Sequence, residues 1–307
     1  MGKIAFIFAG QGAQYPGMGQ ELAQCSPAAA EIFAKLDALR PGTSAQCFGG
    51  TDEELKETKN TQPCMFAVEL AAAAALEEGG LRADMAAGFS LGEIGALTYT
   101  RAVDLETGFH LVCRRGELMQ AAAEEQPTAM AAVLKLSNEE VEQICAQFAQ
   151  VYPVNYNCPG QIVIGGEADA VARAGELAKA AGARRLLPLR VSGPFHTPLM
   201  QPAAKALHER FETEPFGEMQ IPVLFNCLGQ EKGSETIPSL LERQVVSPVM
   251  MEDTLRELAR LGVDTFVEIG PGTVLSGFVR KTLGASVNCY NIENVDGLEK
   301  IVDALKA

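Results

Sequence analysis

No tryptophan occurs in this 307-residue chain, and there are only three histidines. Aromatic residues make up 6% of the sequence, so any core must be built chiefly from aliphatic side chains. Positive charge is also scarce: 25 lysines and arginines face 39 acidic residues, for a net charge of −14. No basic stripe of the kind that grips nucleic acid or an anionic membrane surface interrupts that excess, which argues against both roles. No run approaches the ~18 uninterrupted apolar residues that a membrane-spanning helix needs. The nearest, residues 67–76, is short and alanine-rich and reads as a buried helix. The eight cysteines (Cys25, Cys47, Cys64, Cys113, Cys145, Cys158, Cys227 and Cys289) form no CxxC pair and no zinc-finger spacing. They read as reduced core or boundary thiols, so the expected location is cytoplasmic. The opening MGKIAFIFAGQG has too short an apolar run for a signal peptide.

Apolar residues make up 47% of the chain, enough for a sizeable core. Ile4–Phe8 is an apolar run that stops at Ala9-Gly10-Gln11-Gly12, a buried strand ending in a glycine loop. Helices are expected near 19–25, 27–39, 62–78 and 104–123, and residues 40–61 read as polar and irregular. Met85–Gly88 reads as a short strand with a helix from Leu91 directly behind it. From Pro127 the pattern changes. Strands are expected at Ala129–Lys135, Val151–Asn155, Gln161–Gly165 and Arg184–Val191. One helix, opened by a Ser137/Glu140 capping box and ending near Ala149, and a second over Asp169–Ala181 fall between them. This β-α-β-β-α-β order is the split βαβ pattern. It predicts a small domain at 129–191, inserted in a larger one made of 1–128 and 192–307. Strands at Val223–Asn226, Thr265–Ile269 and Val287–Asn291 then alternate with helices. The fold class is α/β, with a mostly parallel sheet covered by helices on both faces.

The sharpest local signal is Gly88-Phe89-Ser90-Leu91-Gly92, a G-x-S-x-G between a strand and a helix. Such a turn is tight enough to hold its serine in a strained conformation, and the glycines remove side chains that would collide across it. Ser90 is then presented at the positive end of the following helix, and the Leu91 N–H points to where an oxyanion would form. A glycine-rich turn is the plain alternative.

A serine needs a base to become a nucleophile. His110 falls within a helix that carries Phe109 and Val112 and reads as structural; His208 lies in a solvated helical segment. His196, between Pro194 and Pro198 just after a strand, is the histidine held in place. The acid of a triad is less clear. Asp104 and Asp169 qualify by chain order only, and a backbone or amide carbonyl could orient the histidine instead.

With these residues in hand, the chain resembles the malonyl-CoA:acyl carrier protein transacylases over essentially its whole length. The resemblance rests on Phe8–Gln14, the Gly88–Gly92 elbow, Cys113-Arg114-Arg115-Gly116-Glu117, Asn155–Gln161 with Ile164-Gly165-Gly166, Pro194–Met200, Gln244–Val249 and Glu268–Gly272. It implies a hydrolase-like core with a ferredoxin-like insertion. It further implies Ser90 as the acylated nucleophile and His196 as its base. The backbone N–H groups of Gln11 and Leu91 would form the oxyanion hole, and the Gln244 carbonyl would orient His196. Arg115 would bind the malonyl carboxylate, a group that a guanidinium can clamp bidentately; Arg114 reads as a solvated neighbour. The implied partners are malonyl-CoA and acyl carrier protein, with no metal or bound cofactor, and the chain is expected to act as a monomer. Because carrier proteins are acidic, docking would need a local basic spot; Arg184, Arg185, Arg190, Arg280 and Lys281 are candidates.

Two departures stand out. The family often has histidine where this chain has Phe89, and tryptophan shortly after the Pro-Val pair, where Met250-Met251 stand. The residue at position 89 is not the base, so chemistry should survive, but local packing or a polar contact beside the elbow is put in question; the methionines read as a packing substitution. Phe195 beside His196 resembles the malonyl-selective pattern. The rivals are a transferase for another acyl group, a serine hydrolase or thioesterase, and a non-catalytic carrier-protein-binding module.

Overall fold

The computed structural model describes residues 2–189 and 193–306. Ten strands follow in chain order: β1 (Lys3–Phe8), β2 (Met85–Gly88), β3 (Thr128–Leu134), β4 (Val151–Cys158), β5 (Gln161–Glu167), β6 (Arg185–Pro188), β7 (Val223–Phe225), β8 (Gln230–Glu231), β9 (Val263–Ile269) and β10 (Asn288–Ile292). Six of them form one sheet in the order β10-β9-β1-β2-β7-β8. Every pairing in it is parallel except β7 with β8. The other four form an antiparallel sheet, β4-β5-β3-β6.

The apolar run of β1 follows from its central position. Side chains alternate across a strand, and here both faces are covered. Ile4, Phe6 and Phe8 enter one core cluster while Ala5 and Ile7 enter another on the opposite face. On the small sheet, the helices Asn138–Cys145 and Ala168–Ala180 bury Val141, Ile144, Val171 and Ala174 against β3, β4 and β5. The small sheet meets the main part of the chain at an isolated bridge beside Asn155: Tyr156 N–H donates to the Val249 carbonyl and Val249 N–H to the Val154 carbonyl, each at 2.9 Å.

The stretch 40–61 departs from its expectation. It holds the helices Thr43–Gly49 and Asp52–Lys56 and the start of a long helix, Thr58–Glu78. Thr51 and Glu54 form a reciprocal capping box, and Cys47 and Leu55 are buried anchors, so few apolar positions suffice. The helix opened by the Ser137 capping box ends at Cys145, earlier than Ala149. Of the strand expected over 184–191, residues 185–188 are strand, while Arg190 and Val191 lie outside the described residues. Among the described residues no helix is long and apolar enough to cross a membrane.

One buried group works against the fold. Glu69, on the helix Thr58–Glu78, is fully buried beside Gly95, and neither carboxylate oxygen has a hydrogen-bond partner among the described residues. Burial pushes its pKa well above the ordinary carboxylate range. Folding therefore takes up a proton that the unfolded chain, with a carboxyl near 4.5, has already released at neutral pH. This contribution to stability is complete below that value and falls as the pH rises above it. Glu69→Gln removes the loss. In urea denaturation at pH 5 and pH 8, the variant should gain on the wild type by about 1 kcal/mol or more at the higher pH. An equal difference at both pH values would mean that Glu69 takes up no proton on folding.

Candidate active site

β2 ends at Gly88, the helix Gly92–Tyr99 begins four residues later, and Ser90 between them has φ of 57°. That left-handed conformation is strained for serine. A Cβ on Gly88 would collide with the Gly92 backbone, and one on Gly92 with the Phe8 and Ala9 carbonyls at the end of β1. Both glycines are therefore required by close backbone approach.

Asn226, which follows β7, holds the turn from below. Its Oδ1 accepts from the Ser90 N–H at 2.7 Å, and its Nδ2 donates to the Gly88 carbonyl. Its own N–H donates to Glu93 Oε2. Burial pushes Glu93 up to about 8, against the pull of that N–H and of Arg115. The sequence reading missed Asn226; a buried polar residue directly after the apolar Val223-Leu224-Phe225 is the signal that could have found it.

His196, with φ of 61°, is also left-handed. Its Nε2 lies 2.8 Å from Ser90 Oγ, and its Nδ1 lies 2.8 Å from the Gln244 carbonyl oxygen. A carbonyl can only accept, so Nδ1 carries the proton and Nε2 is free to receive one. Burial first, and the Arg115 charge second, push His196 down to about 4, so it is neutral at pH 7. Neither aspartate weighed from the sequence bonds to it. Asp104 caps the helix Leu105–Ala123 through Thr107 N–H, and Asp169 lies in the first turn of Ala168–Ala180. His110 is half-buried on that first helix, and His208 is exposed and bonded to Glu242.

Arg115 is buried at 1% exposure. Nη1 donates to Gln62 Oε1 at 2.9 Å; Nη2 donates to Gln244 Oε1 at 2.8 Å and to Ser90 Oγ at 3.2 Å. Among the described residues it forms no ion pair, whereas the neighbouring Arg114 is exposed and paired with Glu117. Gly116 makes this placement possible, because a Cβ there would press on the Thr58 carbonyl at 2.8 Å. Gln244 is the junction of the site. Besides its carbonyl to His196, its side chain accepts from Arg115 and donates to the Ser90 carbonyl at 2.9 Å. That side-chain role, and Gln62, were also missed; Gln62 follows Thr58-Lys59-Asn60-Thr61 at the polar start of its helix, so nothing local sets it apart.

Gln11 and Leu91 flank the elbow, and among the described residues neither backbone N–H donates a hydrogen bond. Gln11 and Phe89 line a cleft of about 230 Å³ together with Asn155, Asn157 and Gln161. Among the described residues the Oδ1 atoms of both asparagines are buried without hydrogen-bond partners. Gln161 accepts from Lys281 Nζ at 2.9 Å, which leads to a second cleft of about 420 Å³ rimmed by Lys135, Arg184, Arg185 and Lys281. Among the described residues no group of three or more histidine, cysteine, aspartate or glutamate side chains is placed to hold a metal.

Residues 5–300 match the acyl transferase domain family. The chain is 39% identical to the malonyl CoA-acyl carrier protein transacylase of Bacillus subtilis (strain 168) over 312 residues, covering 100% of this chain and 98% of the relative. The chain belongs to the malonyl CoA-acyl carrier protein transacylase family. Its fold superposes on the transacylase of Clostridium perfringens with a TM-score of 0.95 at 38% identity, covering 99% and 97% of the two chains. A malonyl-transacylase solved in complex with a type II PKS acyl-carrier protein matches with a TM-score of 0.94, also at 38% identity, covering 98% and 99%. Like these relatives, the chain is an acyltransferase with a helix-covered main sheet and a smaller antiparallel sheet.

Asn226 gives this family member a testable dependence. Asn226→Ala leaves Ser90 N–H and the Gly88 carbonyl unpaired. Urea denaturation should find it less stable by about 1–3 kcal/mol, the cost of an unsatisfied buried group. Acyl transfer, followed by the rate of CoA release from an acyl-CoA, should slow with it. Wild-type values for both would mean that the turn holds itself.

Proposed function

We propose that the chain transfers the malonyl group of malonyl-CoA to the phosphopantetheine thiol of acyl carrier protein through a malonyl ester on Ser90. The observation that carries this reading is Arg115, a buried guanidinium held by two glutamines beside Ser90, with no ion pair among the described residues. A buried cation without a counter-ion is costly, and an acyl group bearing a free carboxylate supplies the missing charge.

In the first half-reaction Ser90 Oγ attacks the thioester carbon while His196 Nε2 takes its proton. The backbone N–H groups of Gln11 and Leu91 receive the developing oxyanion. The carbon–sulfur bond then breaks, and the CoA sulfur leaves with the proton returned by His196. In the second half the carrier's thiol gives its proton to His196 and attacks the ester, and Ser90 recovers that proton as it leaves. The Gln244 carbonyl keeps His196 in the tautomer that both halves need. The unpaired Asn155 and Asn157 carbonyls suit the amide N–H groups of a pantetheine arm lying in the smaller cleft. The cationic rim of the larger cleft suits the phosphates of CoA and an acidic carrier. Of the docking candidates, Arg184, Arg185 and Lys281 line it, Arg280 does not, and Arg190 lies outside the described residues.

Mixing the protein with malonyl-CoA alone tests the covalent step. Intact mass should rise by one malonyl group in the wild type and not in Ser90→Ala. Release of CoA with turnover and no adduct would point to a hydrolase. Arg115→Ala should lower the ratio of kcat/KM for malonyl-CoA to that for acetyl-CoA by roughly 30- to 4000-fold, the scale of breaking a buried charge pair. Arg114→Ala should leave the ratio unchanged, and equal losses on both substrates in Arg115→Ala would remove Arg115 from acyl recognition.

The His196 environment sets a pH dependence as well. A base pushed down to about 4 stays neutral through mildly acidic solution. The acylation kcat/KM should therefore remain flat down to about pH 5, where a histidine of ordinary pKa near 6.5 is already mostly protonated. A fall centred near 6.5 would mean that burial and the Arg115 charge do not act on the base.

A further inference from the structure

We propose that Arg115 holds Ser90 in a damped resting state, and that the carboxylate of the incoming acyl group releases it, so that the substrate arms the nucleophile it acylates. This rests on the reading of Arg115 as the carboxylate's partner and adds a second consequence to it.

The hydrogen-bond directions carry the argument. Gln244 fixes the His196 tautomer, so Ser90 O–H donates to Nε2. Arg115 has only donors, so its contact with Ser90 Oγ occupies a lone pair of that oxygen. Attack on a carbonyl uses such a lone pair, and a cationic donor on it withdraws electron density from the nucleophile. The same charge opposes the imidazolium that must form on His196 as the proton is transferred.

The geometry also provides for release. Of the three hydrogen bonds of the guanidinium, the one to Ser90 is the longest, 3.2 Å against 2.8 and 2.9 Å to the glutamines. Gln62 and Gln244 can therefore keep the guanidinium in place while the Ser90 contact is exchanged for a carboxylate oxygen. The nearby acid does not pre-empt this exchange. Glu93 accepts from the Asn226 N–H and makes no ion pair with Arg115 among the described residues, and burial pushes its pKa up to about 8. In the resting site the positive charge therefore falls on Ser90 and His196. A malonyl carboxylate removes both effects at once, whereas an acetyl group or a water molecule removes neither. Selectivity would then appear in the rate of acylation as well as in binding.

A neutral fluorophosphonate separates arming from recognition, because it reacts with an active serine but carries no carboxylate. The serine oxygen forms a bond to phosphorus, fluoride leaves, and His196 takes the proton. Labelling of Ser90 is followed by intact mass. In the wild type, formate added as a free carboxylate should speed labelling by about tenfold or more, the scale of one charge-assisted hydrogen bond. Arg115→Met should label at the faster rate without formate and ignore its addition. If formate leaves the wild-type rate unchanged or slows it, the proposal is overturned, and this arm needs no variant to fold. The malonyl-to-acetyl ratio of Arg115→Met keeps the two readings apart. A collapsed ratio with wild-type labelling leaves recognition standing and overturns arming. An unchanged ratio overturns the recognition on which arming rests.

Discussion

Everything in this site depends on one backbone conformation, the left-handed Ser90 between β2 and the helix behind it. A non-glycine residue held there costs on the order of 1–3 kcal/mol and persists only when its surroundings over-determine it. The surroundings do so from several elements. The two elbow glycines let β1, β2 and the helix approach to backbone contact. Asn226 pins the turn on the main-sheet side, and Gln244 Nε2 holds the Ser90 carbonyl. His196 pays a similar conformational cost on the facing loop, where Gln244 again supplies the partner. Strain at two residues from distant parts of the chain is thus stabilised by hydrogen bonds that converge on one glutamine.

The same glutamine limits where the positive charge can lie. A buried guanidinium must have its donors satisfied, and two amide oxygens do that without neutralising it. Burial brings Arg115 down to about 10, so it remains charged at neutral pH. A carboxylate in place of Gln62 or Gln244 would cancel the charge. Amide partners therefore keep the arginine ordered and electrostatically unsatisfied, two properties that an ion pair could not combine.

Much of this was legible in the sequence because it is local. The elbow needs its glycines within five residues, the capping box at Ser137 needs a glutamate three residues on, and the core strands announce themselves as apolar runs. The main sheet and the small antiparallel sheet both followed from the order of those runs. What the sequence concealed is long-range or outward-facing. Residues 43–56 fold into helices anchored by few buried side chains, so their polar composition resembled a loop. Asn226 and Gln62 reach their partners across 136 and 53 positions; a polar residue closing an apolar run could flag Asn226 itself, but nothing local names the partner of either. Gln244 was legible only through family resemblance, and only for its carbonyl.

Phe89 shows why the elbow tolerates a departure that the sequence left in question. The polar demands of the turn are met by the backbone, Asn226 and Gln244, none of which involves the side chain at position 89. That side chain instead lies against Gly10, with its ring centroid 6.1 Å from that of Phe278 and the two rings tilted by 47°. Its neighbour Glu268 is satisfied independently, accepting from the Leu275 and Ser276 N–H groups. Histidine and phenylalanine are both flat rings that can fill this space between the glycine loop and the helix Val274–Leu283. Met250 and Met251 follow the same logic. Met250 contributes a backbone N–H to the Asn226 carbonyl, which any residue but proline could supply, and Met251 is buried in the core beneath. Position 250 is thus held by its backbone and positions 89 and 251 by apolar packing, whereas Asn226, Gln244 and Gln62 are held by side-chain hydrogen bonds to the elbow or Arg115 that no apolar residue could replace.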